Sequence, residues 1–113
     1  MEYQYTYKAI VRKVTDGDTV RLDWDLGANV WLYNEPMRLY GINAPEIKGV
    51  QRKEGLKSKE ALIEMLPTGK EVVIKTIKDK KGKYGRYLCE IYIEGMRISV
   101  NKYMIQKGFA IKF

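Results

Sequence analysis

The chain has no histidine and one cysteine, Cys89, among its 113 residues. Without imidazole, neither a Ser-His-Asp nor a Cys-His nucleophile can be assembled, and the usual imidazole zinc sites are excluded. A lone thiol cannot close an intramolecular disulfide, so the fold must rest on its core. Neither a P-loop nor a dinucleotide glycine fingerprint occurs. No run approaches the ~20 apolar residues of a membrane span, and Met1-Glu2-Tyr3-Gln4-Tyr5-Thr6-Tyr7 lacks the charged and apolar regions of an export signal. A soluble, cytoplasmic protein of bacterial or phage type is favoured, with secretion after processing left open. Acidic residues are also in deficit, 14 Asp+Glu against 21 Lys+Arg, for a net charge of +7. That balance suits a polyanion and leaves nucleic acid, membrane surface and ribosomal contacts open. Acid–base chemistry near neutral pH falls to carboxylates, Lys, Tyr or metal-bound water.

What is present is mostly β-pattern. Tyr3, Tyr5, Tyr7, Ala9 and Val11 alternate with polar residues as in a half-buried strand. Val14 to Thr19 supplies a turn in which Gly17 is free to take positive φ and the aspartates can bond nearby backbone N–H groups. Val20, Leu22, Trp24 and Leu26 then face one way, and Thr19, Arg21, Asp23 and Asp25 the other. Gly27-Ala28-Asn29 breaks that strand, and Val30 to Tyr40 returns as a third, where Pro36 requires an edge or a bulge. Arg52 to Leu66 reads as a helix stopped by Pro67-Thr68-Gly69. Glu71 to Ile77 and Tyr87 to Ile93 read as strands, the second with a buried Cys89. The charged stretch Lys78 to Arg86 between them reads as a mobile, solvent-facing loop. A last helix carries Val100, Tyr103 and Met104 on one face, with Lys107 in its final turn and Gly108 as its cap. The order β-β-β-α-β-β-α predicts a single α+β domain over residues 1–113, mainly β with helices, built on a five-stranded OB-type β-barrel.

Arg38 and Glu46 bracket the stretch with the most chemical promise. An always-charged guanidinium at a strand end, followed by a carboxylate just past Pro45, suits a site that stabilises anionic charge and accepts a proton. Taken singly, these residues have plainer readings. Asp16 and Asp18 could only close a turn, Arg38 could pair with Glu35, Glu46 could cap a loop, and Arg86 could be a solvated loop charge.

Four motifs in order change that balance. Asp16-Gly17-Asp18-Thr19, Arg38-Leu39 through Ala44-Pro45-Glu46, Lys83-Tyr84-Gly85-Arg86, and Val100-Asn101 through Gly108-Phe109-Ala110 resemble the staphylococcal nuclease (thermonuclease) family over about residues 8 to 111. The resemblance implies an OB-type barrel and a Ca²⁺-dependent phosphodiesterase acting on DNA and RNA. It makes Asp18 a calcium ligand, Ala44 a backbone-carbonyl ligand, and Arg38 and Arg86 the guanidinium groups on the scissile phosphate. Glu46 takes the place of the proposed general base, and Lys83 and Tyr84 contact a terminal phosphate. Asn43 stands where the family normally has a second calcium-binding aspartate, so weaker calcium binding is expected. The partner implied is DNA or RNA, with no membrane, no protein partner and a monomeric chain. A catalytically weak or silent nucleic-acid-binding module is the alternative, because Asn43 removes a metal-binding carboxylate.

Overall fold

The three strands expected from alternation form an antiparallel meander of β1 (Thr6–Asp16), β2 (Thr19–Gly27) and β3 (Val30–Leu39). The computed structural model describes residues 5–81 and 86–113. Ala9, Val11, Val20, Leu22, Met37 and Leu39 point inward and are buried, as the two-residue period requires. A short β4 (Ile42–Asn43) follows, then a single 3₁₀ turn (Gly49–Gln51) and α1 (Arg52–Met65). β5 (Glu71–Lys81), β6 (Tyr87–Tyr92), α2 (Val100–Gln106) and β7 (Ile111–Lys112) complete the order. The barrel closes as β1-β2-β3-β6-β5, with β3 and β6 parallel and the other neighbours antiparallel. This is the five-stranded OB-type barrel expected, mainly β with helices. Among the described residues, no helix is long and apolar enough to cross a membrane.

Pro36 sits where its missing N–H does least harm. It pairs with Arg21 on one side, and the parallel pairing with β6 begins only at Met37. The bulge lies just before it, where β3 places Tyr33 and Asn34 opposite Asp23 alone. Asn34 takes φ 53°; its N–H donates to Asp23 Oδ1 at 2.9 Å and its carbonyl accepts from Arg21 Nη1 at 2.8 Å. Asp23, opposite Ile10 on the outer face of the barrel, is therefore buried, and it also meets Arg12 Nη1 at 3.5 Å.

Other departures have local causes. β5 continues to Lys81, with Lys81 paired to Tyr87, so the first part of the expected loop has strand backbone. Residues 82–85 lie outside the described residues. β4 and β7 form a separate two-stranded ladder, Ile42 opposite Lys112 and Asn43 opposite Ile111, too short to show any period. Gly17 does not take positive φ. It is needed for space: a Cβ there would stand 2.6 Å from Ser58 Cβ and 2.9 Å from Ala44 Cβ, so α1 and the segment after β4 can close on the β1–β2 turn only over a glycine.

Buried Gly55, Ser58 and Leu62 form the inner face of α1, whereas Ile63 is exposed. A Cβ on Gly55 would overlap the Glu46 carbonyl and approach Ile47 N to 2.8 Å. Ser58 Oγ donates to the Phe109 carbonyl at 2.5 Å, tying α1 to the turn that leads into β7. α2 is capped by Ser99, whose side chain accepts from Lys102 N, and it ends at Gly108 with φ 78°. Cys89 is fully buried, and burial, followed by the Glu90 charge, pushes its thiol up to about 12, so it acts as a small apolar residue.

Candidate active site

The β1–β2 turn is the point to which the site is fastened. Asp18, nearly buried, accepts the Ala44 N–H at 2.8 Å on Oδ2 and the Thr19 hydroxyl at 3.0 Å on Oδ1. Asp18 does bond a backbone N–H, but one brought from the far side of the meander rather than from its own turn. Arg38, near the end of β3, places Nη1 3.3 Å from Asp18 Oδ2. Its Nη2 donates to the Ile42 carbonyl at 3.0 Å and to Asn43 Oδ1 at 3.1 Å. Arg86, just before β6, donates from Nη1 to Thr19 Oγ1 at 3.4 Å. Two guanidinium groups from distant parts of the chain are thus anchored on adjacent residues. The Asp18 charge and the shared β4 oxygens hold the Arg38 fork in one orientation, which is the property a planar cation needs to meet a phosphate.

A cleft of about 810 Å³ opens over this turn. Asp18, Arg38, Asn43, Ala44, Glu46 and Arg86, the described site residues expected from sequence, all line it. Lys83 and Tyr84 lie outside the described residues. Glu46 is exposed on the rim, and its backbone N–H donates to Gln51 Oε1 at 3.2 Å. That bond and the contact with Gly55 fix the Glu46 main chain against the start of α1. Thr15, Asp16, Ile47, Lys48, Leu88 and Phe113 also contribute to the lining. Of these only Asp16 had any signal in the sequence, as the partner of Asp18 across Gly17. Thr19 was legible as part of the first motif but not as an arginine anchor, and Gln51, Gly55 and Ser58 act through contacts that no spacing announces.

Burial raises the Asp16 carboxyl above its ordinary pKa, the Asp18 and Glu46 charges add to the rise, and Lys59 and Arg86 oppose it. Because the folded chain holds this proton more tightly than the unfolded chain, the ionised form destabilises the fold above the folded-state pKa. That penalty fades as pH falls through the folded-state pKa toward the unfolded one. In chelator-treated protein, Asp16→Asn is therefore expected to stabilise the fold at neutral pH by no more than about 1 kcal/mol after solvent screening, and so to raise Tm. The gain should shrink on acidification. Thermal melts across the acidic range check this, and a gain independent of pH would contradict it.

The oxygens at this corner suit a hard dication. Asp16, Asp18 and the Asn43 amide oxygen are all hard donors on one cleft, and the Asp18 charge that helps raise the proton affinity of Asp16 favours a cation beside it. Among the described residues, no group of three His, Cys, Asp or Glu side chains is gathered closely enough to hold a metal ion alone. Protein donors would then supply only part of the about six to eight oxygens that calcium takes, leaving positions for water and phosphate.

A family model described as Staphylococcal nuclease homologue matches residues 36–113, which include Arg38, Asn43, Ala44, Glu46 and Arg86. The chain is also 27% identical over 112 residues to Endonuclease YhcR of Bacillus subtilis (strain 168). That match covers 92% of this chain and 9% of the relative, so the chain spans about a tenth of the length of that protein.

Proposed function

The chain belongs to the staphylococcal nuclease family, and we propose that it is a Ca²⁺-dependent phosphodiesterase that cleaves DNA or RNA with little sequence preference. In this reading it breaks the P–O5′ bond and leaves 3′-phosphate ends. The observation that carries the proposal is the anchoring of Arg38 and Arg86 on adjacent residues, Asp18 and Thr19, in a cleft that also holds the Glu46 carboxylate. Two guanidinium groups lining one cleft suit a polyanionic guest, and a phosphodiester flanked by further phosphates fits.

In the proposed reaction, Arg38 and Arg86 donate forked hydrogen bonds to the non-bridging oxygens, where charge grows as water attacks phosphorus. Glu46 accepts the proton of that water, since no histidine competes for the role. Calcium held by Asp18, Asn43 and the Ala44 carbonyl, with Asp16 beside them, would supply charge neutralisation and polarise the phosphate. Lys83 and Tyr84 take the terminal phosphate, and the basic surface of α1, with Arg52, Lys53, Lys57 and Lys59, holds flanking phosphates without reading bases. The binding-module alternative draws on one observation, that the Asn43 amide oxygen brings no charge to a cation and already accepts from Arg38.

Plasmid DNA and RNA incubated with the purified protein separate the two readings. Cleavage stimulated by Ca²⁺ and stopped by chelator is the expected result. Binding of single-stranded DNA without Ca²⁺-stimulated cleavage would sink the enzyme and leave the binding module.

A further inference from the structure

Trp31 and Tyr33 are the aromatic rings of β3, and the barrel core uses neither. They stack on each other with centroids 6.0 Å apart and planes within 10° of parallel, Trp31 half-buried and Tyr33 69% exposed. A bulge decides which way they point. Met37 and Leu39 face the core, so strict two-residue alternation would send Tyr33 and Trp31 inward with them. The extra residue at Tyr33-Asn34, opposite Asp23, reverses the phase. Leu32, opposite Trp24, packs on the core, and Trp31 and Tyr33 turn to the outer face of the β2–β3 ribbon, the face that carries Arg38. Between the rings and the cleft that face holds Arg21, opposite Pro36, and Lys13, opposite Arg21. The aspartates beside the rings are already engaged. Asp23 accepts the Asn34 N–H and meets Arg12, and Asp25 Oδ1 accepts the Gly27 N–H at 2.9 Å. Among the described residues, β6 pairs with β3 no further than Met37 and β1 with β2 no further than Trp24, so the Trp31 end of the ribbon stands clear of the barrel.

We propose that Trp31 and Tyr33 are a remote stacking subsite for the bases of an unpaired strand whose phosphate lies at Arg38. The inference rests on the nucleic-acid reading of the cleft and adds to it a preference for strand length and for unpaired bases. Five to seven residues of β3 separate the rings from Arg38, which at ~3.3 Å per residue is about 16–23 Å. That is the length of roughly five to seven nucleotides of a stacked single strand, within the ~4–16 that one barrel of this kind covers. The continuity of one face from Arg38 through Arg21 and Lys13 to the rings selects this guest. Phosphates lie over the cations, and bases, each with a π-face, cover the rings without a sequence preference. Rings alone would suit an apolar protein surface equally well, whereas a cationic strip leading into a phosphate site suits a polyanion. Bases inside a duplex are already stacked and paired, so a helix would have to open to reach the rings. A strand too short to span the strip meets only the cleft.

Fluorescence anisotropy in chelator, where cleavage is off, tests this with dye-labelled oligothymidylates of four and twelve nucleotides and a twelve-unit strand of abasic sugar phosphates. Trp31→Ala and Tyr33→Ala are each expected to weaken binding of the twelve-nucleotide strand about tenfold, with the four-nucleotide and abasic affinities unchanged. Tyr33→Phe should bind as wild type does. Trp31 emission should be quenched by the twelve-nucleotide strand and not by the shorter one, and Trp31→Phe should remove that response, since the other tryptophan, Trp24, is buried. Equal loss on all three strands, or no change on any, overturns the proposal. So does a wild-type dimer in sedimentation velocity that Tyr33→Ala dissolves, which would assign the rings to a second copy of the chain. Base- and length-dependent binding without cleavage would refute the enzyme reading alone; Ca²⁺-stimulated cleavage, with variants that bind every strand as wild type does, would refute the subsite alone.

Discussion

Glu46→Gln is expected to lower kcat for DNA cleavage by about 10²- to 10⁴-fold, the range for loss of a general base, with KM nearly unchanged. Glutamine keeps the size and one carbonyl oxygen of the side chain but cannot take a proton. Glu46 is exposed on the cleft rim, and its main chain is fixed by Gln51 and Gly55, so the substitution leaves the backbone contacts in place. A fall in kcat with the fold intact is then a statement about proton transfer. If Glu46 served only to help hold calcium, the loss would be recovered at high Ca²⁺. Single-turnover rates at saturating Ca²⁺ decide between these outcomes, and a variant restored by added Ca²⁺ removes Glu46 as the base.

The elements that could be read from the sequence are those that repeat a local pattern. Val20, Leu22 and Trp24 alternate, so β2 was visible, and the helix-forming run with its Pro67 stop gave α1 almost to the residue. The β4–β7 ladder was not, because Ile42 and Asn43 carry no period and their pairing with Lys112 and Ile111 is decided by tertiary closure. β5 was read as too short for a related reason. Its apolar alternation ends at Ile77, so no period in the sequence marks the strand backbone that continues to Lys81.

The candidate site follows the same division. Resemblance at four ordered motifs singled out Asp18, Arg38, Glu46 and Arg86, and the fold brings all of them to one cleft. The supports were invisible because they act by close approach. Gly17 looked like a turn glycine, and its role is to let Ser58 and Ala44 come within contact distance. Gly55, within α1, makes room for the Glu46 carbonyl, which no helical spacing announces. Asn43 was read as a metal position, and its amide oxygen accepts from Arg38. These readings differ because sequence spacing reports what a residue is, whereas packing decides which neighbours it must admit.

Asn101→Ala is expected to cost about 3 kcal/mol of stability and to lower Tm by roughly 10–20 °C, although Asn101 does not line the cleft. Its side chain is 3% exposed and satisfies main-chain groups from two other elements. Oδ1 accepts the Ile91 N–H at 3.1 Å, while Nδ2 donates to the Tyr40 carbonyl at 2.8 Å and to the Cys89 carbonyl at 3.0 Å. The Cys89 carbonyl would keep the Tyr40 N–H as a partner, at 2.8 Å, so alanine costs most at Ile91 N–H and the Tyr40 carbonyl. Each buried group left unpaired costs about 1–3 kcal/mol, a large part of the total for a small domain. Asn101→Asp tests whether the amide itself is required. A carboxylate still accepts from Ile91 but offers no N–H to the two carbonyls and places a charge against them in a buried position, so it should fail to rescue at neutral pH. Urea unfolding is expected to show a lower midpoint with unchanged slope for both variants. The loss should reach the cleft as well, because Tyr40 leads directly into Ile42 and Asn43, the anchors of Arg38. Weaker phosphate affinity in Asn101→Ala at a temperature where it remains folded is the expected sign of that link. An aspartate variant as stable as wild type would instead mean that Asn101 only fills space.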